Sequence, residues 1–180
     1  MEWSWLHFQT SSGMKRILLA VVMVLIFVQI GAQEQKVDSM TRVKNSVFVE
    51  LLGRGDLYSV NYDRIFLIKN RHAFTARIGF SFYPPNGSHQ NYFCFPVAVN
   101  YIYGVKHHLE ISAGLTSRFE QEERALLKHV ESTYSAMFGI GYRYQRVDGG
   151  IFFRIEVIEF FPKYEASLPL WGGIGVGYSF

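Results

Sequence analysis

Charge is scarce in this sequence. Charged residues make up 18% of its 180 residues while aromatics reach 17%, a balance shifted from the usual globular mix toward strand formers. The formal net charge of +3 comes without any Lys/Arg run, which excludes the basic patch of a nucleic-acid-binding surface. A single cysteine, Cys94, excludes a disulfide framework within the chain and reads as a small buried thiol. Beyond Ala32 there is no long amphipathic helical pattern and no apolar run long enough for a transmembrane helix. Lysine is absent from every strand-like segment: Lys36, Lys44, Lys69, Lys106, Lys128 and Lys163 all fall in expected connections or near a terminus.

The first 32 residues read as an address. Lys15 and Arg16 precede an apolar run from Ile17 to Val28, and the small residue Ala32 follows. A basic start, an apolar stretch too short to cross a bilayer and a small residue at the cut describe a secretory signal peptide, cleaved after Ala32. Met1 to Gly13 lies upstream of the basic start, so Met14 is the expected site of initiation. Residues 33–44 are then a short periplasmic segment, and 45–180 the folded domain.

What that domain has in abundance is alternation with period two, the signal of a strand with unlike faces. In "DLYSVNYDRIF", Tyr58, Val60, Tyr62 and Phe66 share one face, and Ser59, Asn61 and Asp63 the other. "AFTARIGFSF", "NYFCFPVAVNYIYG", "HHLEISAGLTS", "TYSAMFGIGYRYQ" and "GIFFRIEVIEF" repeat the pattern. With "SVFVELLG" before them and "LPLWGGIGVGYSF" after, the expectation is eight antiparallel strands on short connections, an all-β up-and-down barrel. Phe48, Leu52, Ile102, Met137, Phe152 and Ile158 break the pattern as apolar residues on the polar face, and Arg64 and Glu159 as charges on the apolar one.

Alternation alone leaves open which face is inside. A lipocalin-like soluble carrier turns the apolar face inward around a greasy ligand, whereas a transmembrane barrel turns it outward into lipid. Three features favour the transmembrane form. The strands lack lysine, which a water-facing sheet normally carries. The polar face is built from Gly, Ser, Thr and Asn with the charges Glu50, Asp63, Arg77, Glu110, Arg143, Arg154 and Glu156. That set, four acids against three arginines, suits a narrow lumen plugged by side chains. Aromatics also gather at both ends of the apolar face, as interfacial girdles do. Tyr101, Tyr103, Tyr142, Tyr144 and Tyr178 lie at one end, and Tyr58, Phe82, Phe93, Tyr134 and Phe160 at the other. Connections fit as well. "IKNRH", "GVKH" and "RVDG" are short periplasmic turns, "PPNGSHQ", "FEQEERALLKHVES" and "FPKYEAS" longer surface loops, and "GRGD" is the one short exception.

The last strand, with Ile174, Val176, Tyr178 and Phe180 on its apolar face, resembles the C-terminal signal of Gram-negative outer-membrane proteins. With the motif "GRGDLYSVNYDR" (Gly53 to Arg64) and the "GAQ" cleavage site, the chain resembles the small eight-stranded outer-membrane barrels of Bacteroidetes-type bacteria. That resemblance implies a bacterial outer-membrane location, recognition of the last strand by the barrel-assembly machinery, and contact with membrane lipid and lipopolysaccharide. It says little about activity.

Site chemistry adds no cofactor and no metal. His72, His89, His107, His108 and His129 lack metal-ligand spacing, adjacent His107 and His108 point to opposite faces, and no glycine-rich loop opens a helix. His129, Glu131 and Ser132 cluster at the third surface loop, but they are adjacent in a polar stretch with no distinctive motif, and a helical turn is expected from Arg118 to Lys128 in the same charge-rich loop. The expected function is a structural or surface-interaction role in the outer membrane, without porin-type conduction. A lipid A-modifying enzyme and the soluble carrier are the alternatives.

Overall fold

The computed structural model describes residues 42–85, 91–124, 127–161 and 171–180, with the backbone alone over 121–124 and 127–129. The expected signal segment 1–32, the start at Met14 and most of the segment 33–44 lie outside the described residues. So do His89 and much of the loops before strand four and strand eight.

The described chain forms eight strands: β1 Asn45–Gly53, β2 Asp56–Lys69, β3 His72–Tyr83, β4 Tyr92–Gly104, β5 His107–Arg124, β6 Leu127–Gln145, β7 Gly150–Phe161 and β8 Trp171–Ser179. Each pairs antiparallel with its sequence neighbours, and β8 closes on β1 with Val49 opposite Val176. The result is a closed up-and-down barrel. Closure matters because it leaves no sheet edge with unsatisfied backbone groups. The seam is stapled at its end by reciprocal bonds between Asn45 and Phe180, 3.0 and 2.9 Å.

The barrel is apolar outside and polar inside. Along β1 the outward Val47, Val49 and Leu51 are 43–58% exposed, whereas the inward Ser46, Phe48 and Glu50 between them are at most 2% exposed. The same inversion runs round the sheet, through Ile78, Val99, Ile111, Ile140, Val157 and Ile174 on the outside. A soluble carrier needs the opposite arrangement, so the lipocalin-like alternative finds no apolar cavity among the described residues.

Several irregular residues acquire physical reasons here. Phe48 and Phe152 stack in mid-lumen with ring centroids 4.8 Å apart. At the end holding both strand termini Ile65, Ala73 and Ile102 form a small buried cluster. A bulge between Ile65 and Leu67 sets it up, because the extra residue sends both Phe66 and Leu67 outward while Ile65 stays in. Leu52 does not occupy the polar face as its spacing suggests: it takes a left-handed φ of 51° and turns out to 50% exposure.

Two further expectations are corrected. No helical turn spans Arg118 to Lys128. The β5–β6 ladder continues to Arg124 opposite Leu127, so charged residues that suggested a solvated loop instead lie on extended backbone. Phe160 does not belong to the outer girdle. It sits opposite buried Met137 on the inner side, and Phe161 takes the outward place.

On β8 the inward positions are Gly173, Gly175 and Gly177, and the lumen explains them. A Cβ on Gly175 would meet the Arg154 side chain at 2.8 Å, and one on Gly177 would meet the Val47 carbonyl oxygen at 2.0 Å. Gly177→Val should therefore force the β1–β8 seam apart and lower barrel stability by about 1–3 kcal/mol, the range for overpacking. Urea unfolding followed by Trp171 fluorescence checks this, with Gly172→Val, where a Cβ would meet nothing nearer than the Glu156 carbonyl oxygen at 3.6 Å, as a control that should move the midpoint far less.

A charged lumen as the candidate functional site

The inward polar residues converge on one network in the middle of the barrel. Glu156 on β7 is its hub. Arg54 grips it with two bonds, Nε–Oε1 at 3.0 Å and Nη2–Oε2 at 2.8 Å. Arg154 adds a contact at 2.6 Å and Arg77 one at 3.4 Å. Glu50 on β1 pairs with Arg77 at 2.5 Å and lies 3.7 Å from Arg154. Glu110 on β5 takes Arg154 at 2.9 Å and lies 3.9 Å from Arg143. Asp63 on β2 accepts from Arg143 at 2.7 Å, from Thr75 at 2.7 Å and from Asn100 at 3.1 Å. All seven lumen charges singled out from the sequence are thus in one connected set.

The sequence reading missed Arg54. It sits in the β1–β2 turn, a place where an arginine is normally solvated, yet it is only 1% exposed. The turn folds over the barrel mouth and is held by its carbonyls. Thr116 donates to the Arg54 carbonyl at 2.9 Å, Ser81 and Tyr83 to that of Gly55 at 2.9 and 2.6 Å, and the Trp171 indole to that of Gly53 at 3.0 Å. A signal for this existed. Four acids against three arginines left the lumen one cation short, and the shortest surface connection carries the missing one.

Aromatic rings insulate the charges. The Arg77 guanidinium lies 4.9 Å from the centroid of Phe48, and that of Arg143 lies 4.9 Å from Phe152. Ring faces attract cations and exclude water at once. Nearer the termini, buried His108 contacts Arg42 and meets the Arg143 carbonyl at 3.3 Å. At the mouth Asp56 takes Arg118 at 2.6 Å and Tyr92 at 2.9 Å.

Chemically this network offers no reaction. Guanidinium groups do not exchange protons near neutral pH, every carboxylate of the set is engaged by arginine, and the hydroxyls that face it, Thr75 and Ser112, are themselves bonded to Asp63 and Arg54. Among the described residues no group of three His, Cys, Asp or Glu could hold a metal. Cys94 is buried and unbonded to sulfur. Glu131 and Ser132 are exposed neighbours on β6 and point to opposite faces, so they do not converge on a substrate; the side chain of His129 is outside the described residues. His107 and His108 separate likewise, His107 meeting Tyr142 at 2.6 Å on the outer side. Ile174, Val176, Tyr178 and Phe180 lie in a row on the outer face, 48–59% exposed.

Comparison with known proteins bears on the fold. No family model matches the chain, and no curated protein does. The N-terminal β-barrel domain of Pseudomonas aeruginosa OprF is similar in structure, with a TM-score of 0.52 at 15% identity over 78% of this chain and 98% of that one. Ail, the attachment invasion locus protein of Yersinia pestis, solved with the heparin analogue sucrose octasulfate, gives 0.48 at 11% identity over 77% and 99%. The first of these likenesses supports the eight-stranded barrel.

Removing one partner from a buried ion pair strands the other, at about 3–5 kcal/mol. Glu156→Gln should cost in that range, because three arginines lose their common counter-charge. Asp148→Asn, at the exposed Arg146–Asp148 pair in the β6–β7 turn, should barely move the midpoint. Equal effects in urea titrations of the two variants would contradict a dry lumen.

Proposed function

We propose that this chain is an integral β-barrel of a bacterial outer membrane, of the Bacteroidetes type, with a structural or surface-interaction role and a lumen closed by its own side chains. The observation that carries the reading is the inversion of the sheet. Valine, isoleucine, leucine and phenylalanine side chains encircle the outside at 37–68% exposure, while the arginines and carboxylates of the central network fill the inside at 3% or less. In water that coat is an aggregation surface far beyond the few hundred Å² a soluble monomer tolerates. In a bilayer it is the favourable arrangement, because hydrocarbon covers the outside and the closed strand ladder pairs backbone groups round the barrel. The shortest strands, β1 and β8, have nine residues, about what a tilted strand needs to cross the hydrocarbon core.

Export follows from the signal peptide at residues 1–32. Insertion is assigned to the barrel-assembly machinery reading Ile174, Val176, Tyr178 and Phe180, and the outer face then contacts lipid and lipopolysaccharide. Eight strands leave an interior just wide enough for side chains, and here the β1–β2 turn also lies over the mouth. No observation among the described residues favours catalysis.

Two measurements test this. The folded protein should require detergent for extraction from the outer-membrane fraction and shift its gel mobility on boiling; a freely soluble mature chain refutes the location. In planar bilayers it should give no stable large currents. Porin-like conductance would contradict the closed lumen. For the assembly segment, deleting Phe180 should reduce the amount inserted while leaving the unfolding midpoint of inserted protein almost unchanged, as judged by fractionation and urea titration.

A further inference from the structure

Among the described side chains, the two ends of the barrel differ in charge. At the end that holds Asn45 and Phe180, the exposed Lys44, Arg64, Lys69, Lys106 and Arg146 and the half-buried Arg71 project from the strand ends and turns. Asp148 is the one exposed acid there among the described side chains. The described side chains of the opposite end show Asp56, Glu120, Glu131 and Glu159 against Arg118. Opposing chemistry at the two mouths of one barrel is not needed to close it or to keep it soluble.

These cations stand immediately beside the outer tyrosine girdle. His72 at the start of β3 bonds Tyr101 at 2.6 Å, and His107 at the start of β5 bonds Tyr142 at 2.6 Å, the same arrangement repeated two strands apart. Each pair ties a ring of the girdle to a residue adjacent to a cationic turn, Arg71 in one case and Lys106 in the other. Between the β4–β5 and β6–β7 turns lies a pocket of about 510 Å³ lined by Lys106, Tyr144, Arg146, Val147 and Asp148. Its walls are backed by backbone bonds, Gln145 N to the Lys106 carbonyl at 2.9 Å and Val43 N to the Val147 carbonyl at 2.9 Å. Asp148 takes two bonds from Arg146, so the pocket presents two cations against one acid beside an interfacial ring.

We propose that this collar binds the phosphate headgroups of anionic glycerophospholipids in the leaflet on the side of the termini, with the Lys106–Tyr144–Arg146 pocket as one headgroup seat. This rests on the reading of the chain as a membrane barrel. Depth selects lipid over an acidic protein as the occupant. The cations are one to three residues from lipid-facing side chains, at the level where phosphates lie, and the tyrosine rings beside them suit the same interface. Surface cations near anionic lipid contribute additively and are screened by salt.

The test uses the full mature barrel refolded into phosphatidylcholine vesicles with and without phosphatidylglycerol, and reads the association of spin-labelled phosphatidylglycerol relative to spin-labelled phosphatidylcholine. A severalfold preference for phosphatidylglycerol is expected at low salt, falling toward unity at about 1 M salt, where the Debye length is about 3 Å. The Lys69→Gln, Arg71→Gln, Lys106→Gln variant should lose most of the preference; Lys69→Gln alone should lose part of it and guards against a folding defect in the triple variant. Equal association of the two lipids with a barrel that inserts normally would overturn the collar and leave it to an acidic protein partner. Failure to insert into either vesicle would overturn the membrane reading, and the collar with it.

Discussion

Charge matching between buried side chains inside the barrel is the constraint on which the rest of this structure depends. An isolated ion there costs many kcal/mol, so each must meet its opposite with good geometry. Glu156 meets that requirement by sharing its two oxygens among Arg54, Arg77 and Arg154, while Glu50 pairs with Arg77, Glu110 with Arg154 and Asp63 with Arg143. These side chains come from β1, β2, β3, β5, β6 and β7 and from the first turn. The network thus specifies how the strands face one another across the barrel as well as which way each side chain points.

The same constraint explains features that look local. Arginine side chains lying against β8 leave space only for glycine at Gly175, and the closing strand must come as near to β1 as Gly177 does. Phe48 and Phe152 intrude on the polar middle of the inner face, where their rings cover guanidinium planes. The β1–β2 turn is short and folded inward because its Arg54 supplies the fourth cation. On the outside, where no such matching is needed, the chain is free to be uniformly apolar.

Strand number, barrel closure and the identity of the inner face were legible because period-two alternation is a property of single residues in order. Lysine's absence from strand interiors, with only Lys69 and Lys128 falling at the ends of β2 and β6, and the small polar residues on one face pointed to the same side being enclosed. What could not be read came from breaks in that period or from long-range contacts. The bulge at Ile65 and the outward turn of Leu52 change parity without any marker residue. The β5–β6 hairpin kept its ladder through "FEQEER", where composition suggested solvent rather than strand. Phe160 and Phe161 follow unbroken alternation: the parity that puts Glu159 on the apolar face puts Phe161 there and Phe160 inside. Arg54 needed knowledge of which turn lies over the lumen, although the charge count hinted that one was required.

The central claim is that the outer face lies in hydrocarbon. Trp3 and Trp5 fall within residues 1–32, so the chain from residue 33 carries Trp171 alone. In a Trp171→Phe background, a tryptophan placed at the outward Val99 reports that face directly. Refolded into vesicles, it should be quenched most strongly by lipids brominated deep in their acyl chains and scarcely by aqueous acrylamide. Strong quenching by acrylamide with none by brominated lipid would contradict the account.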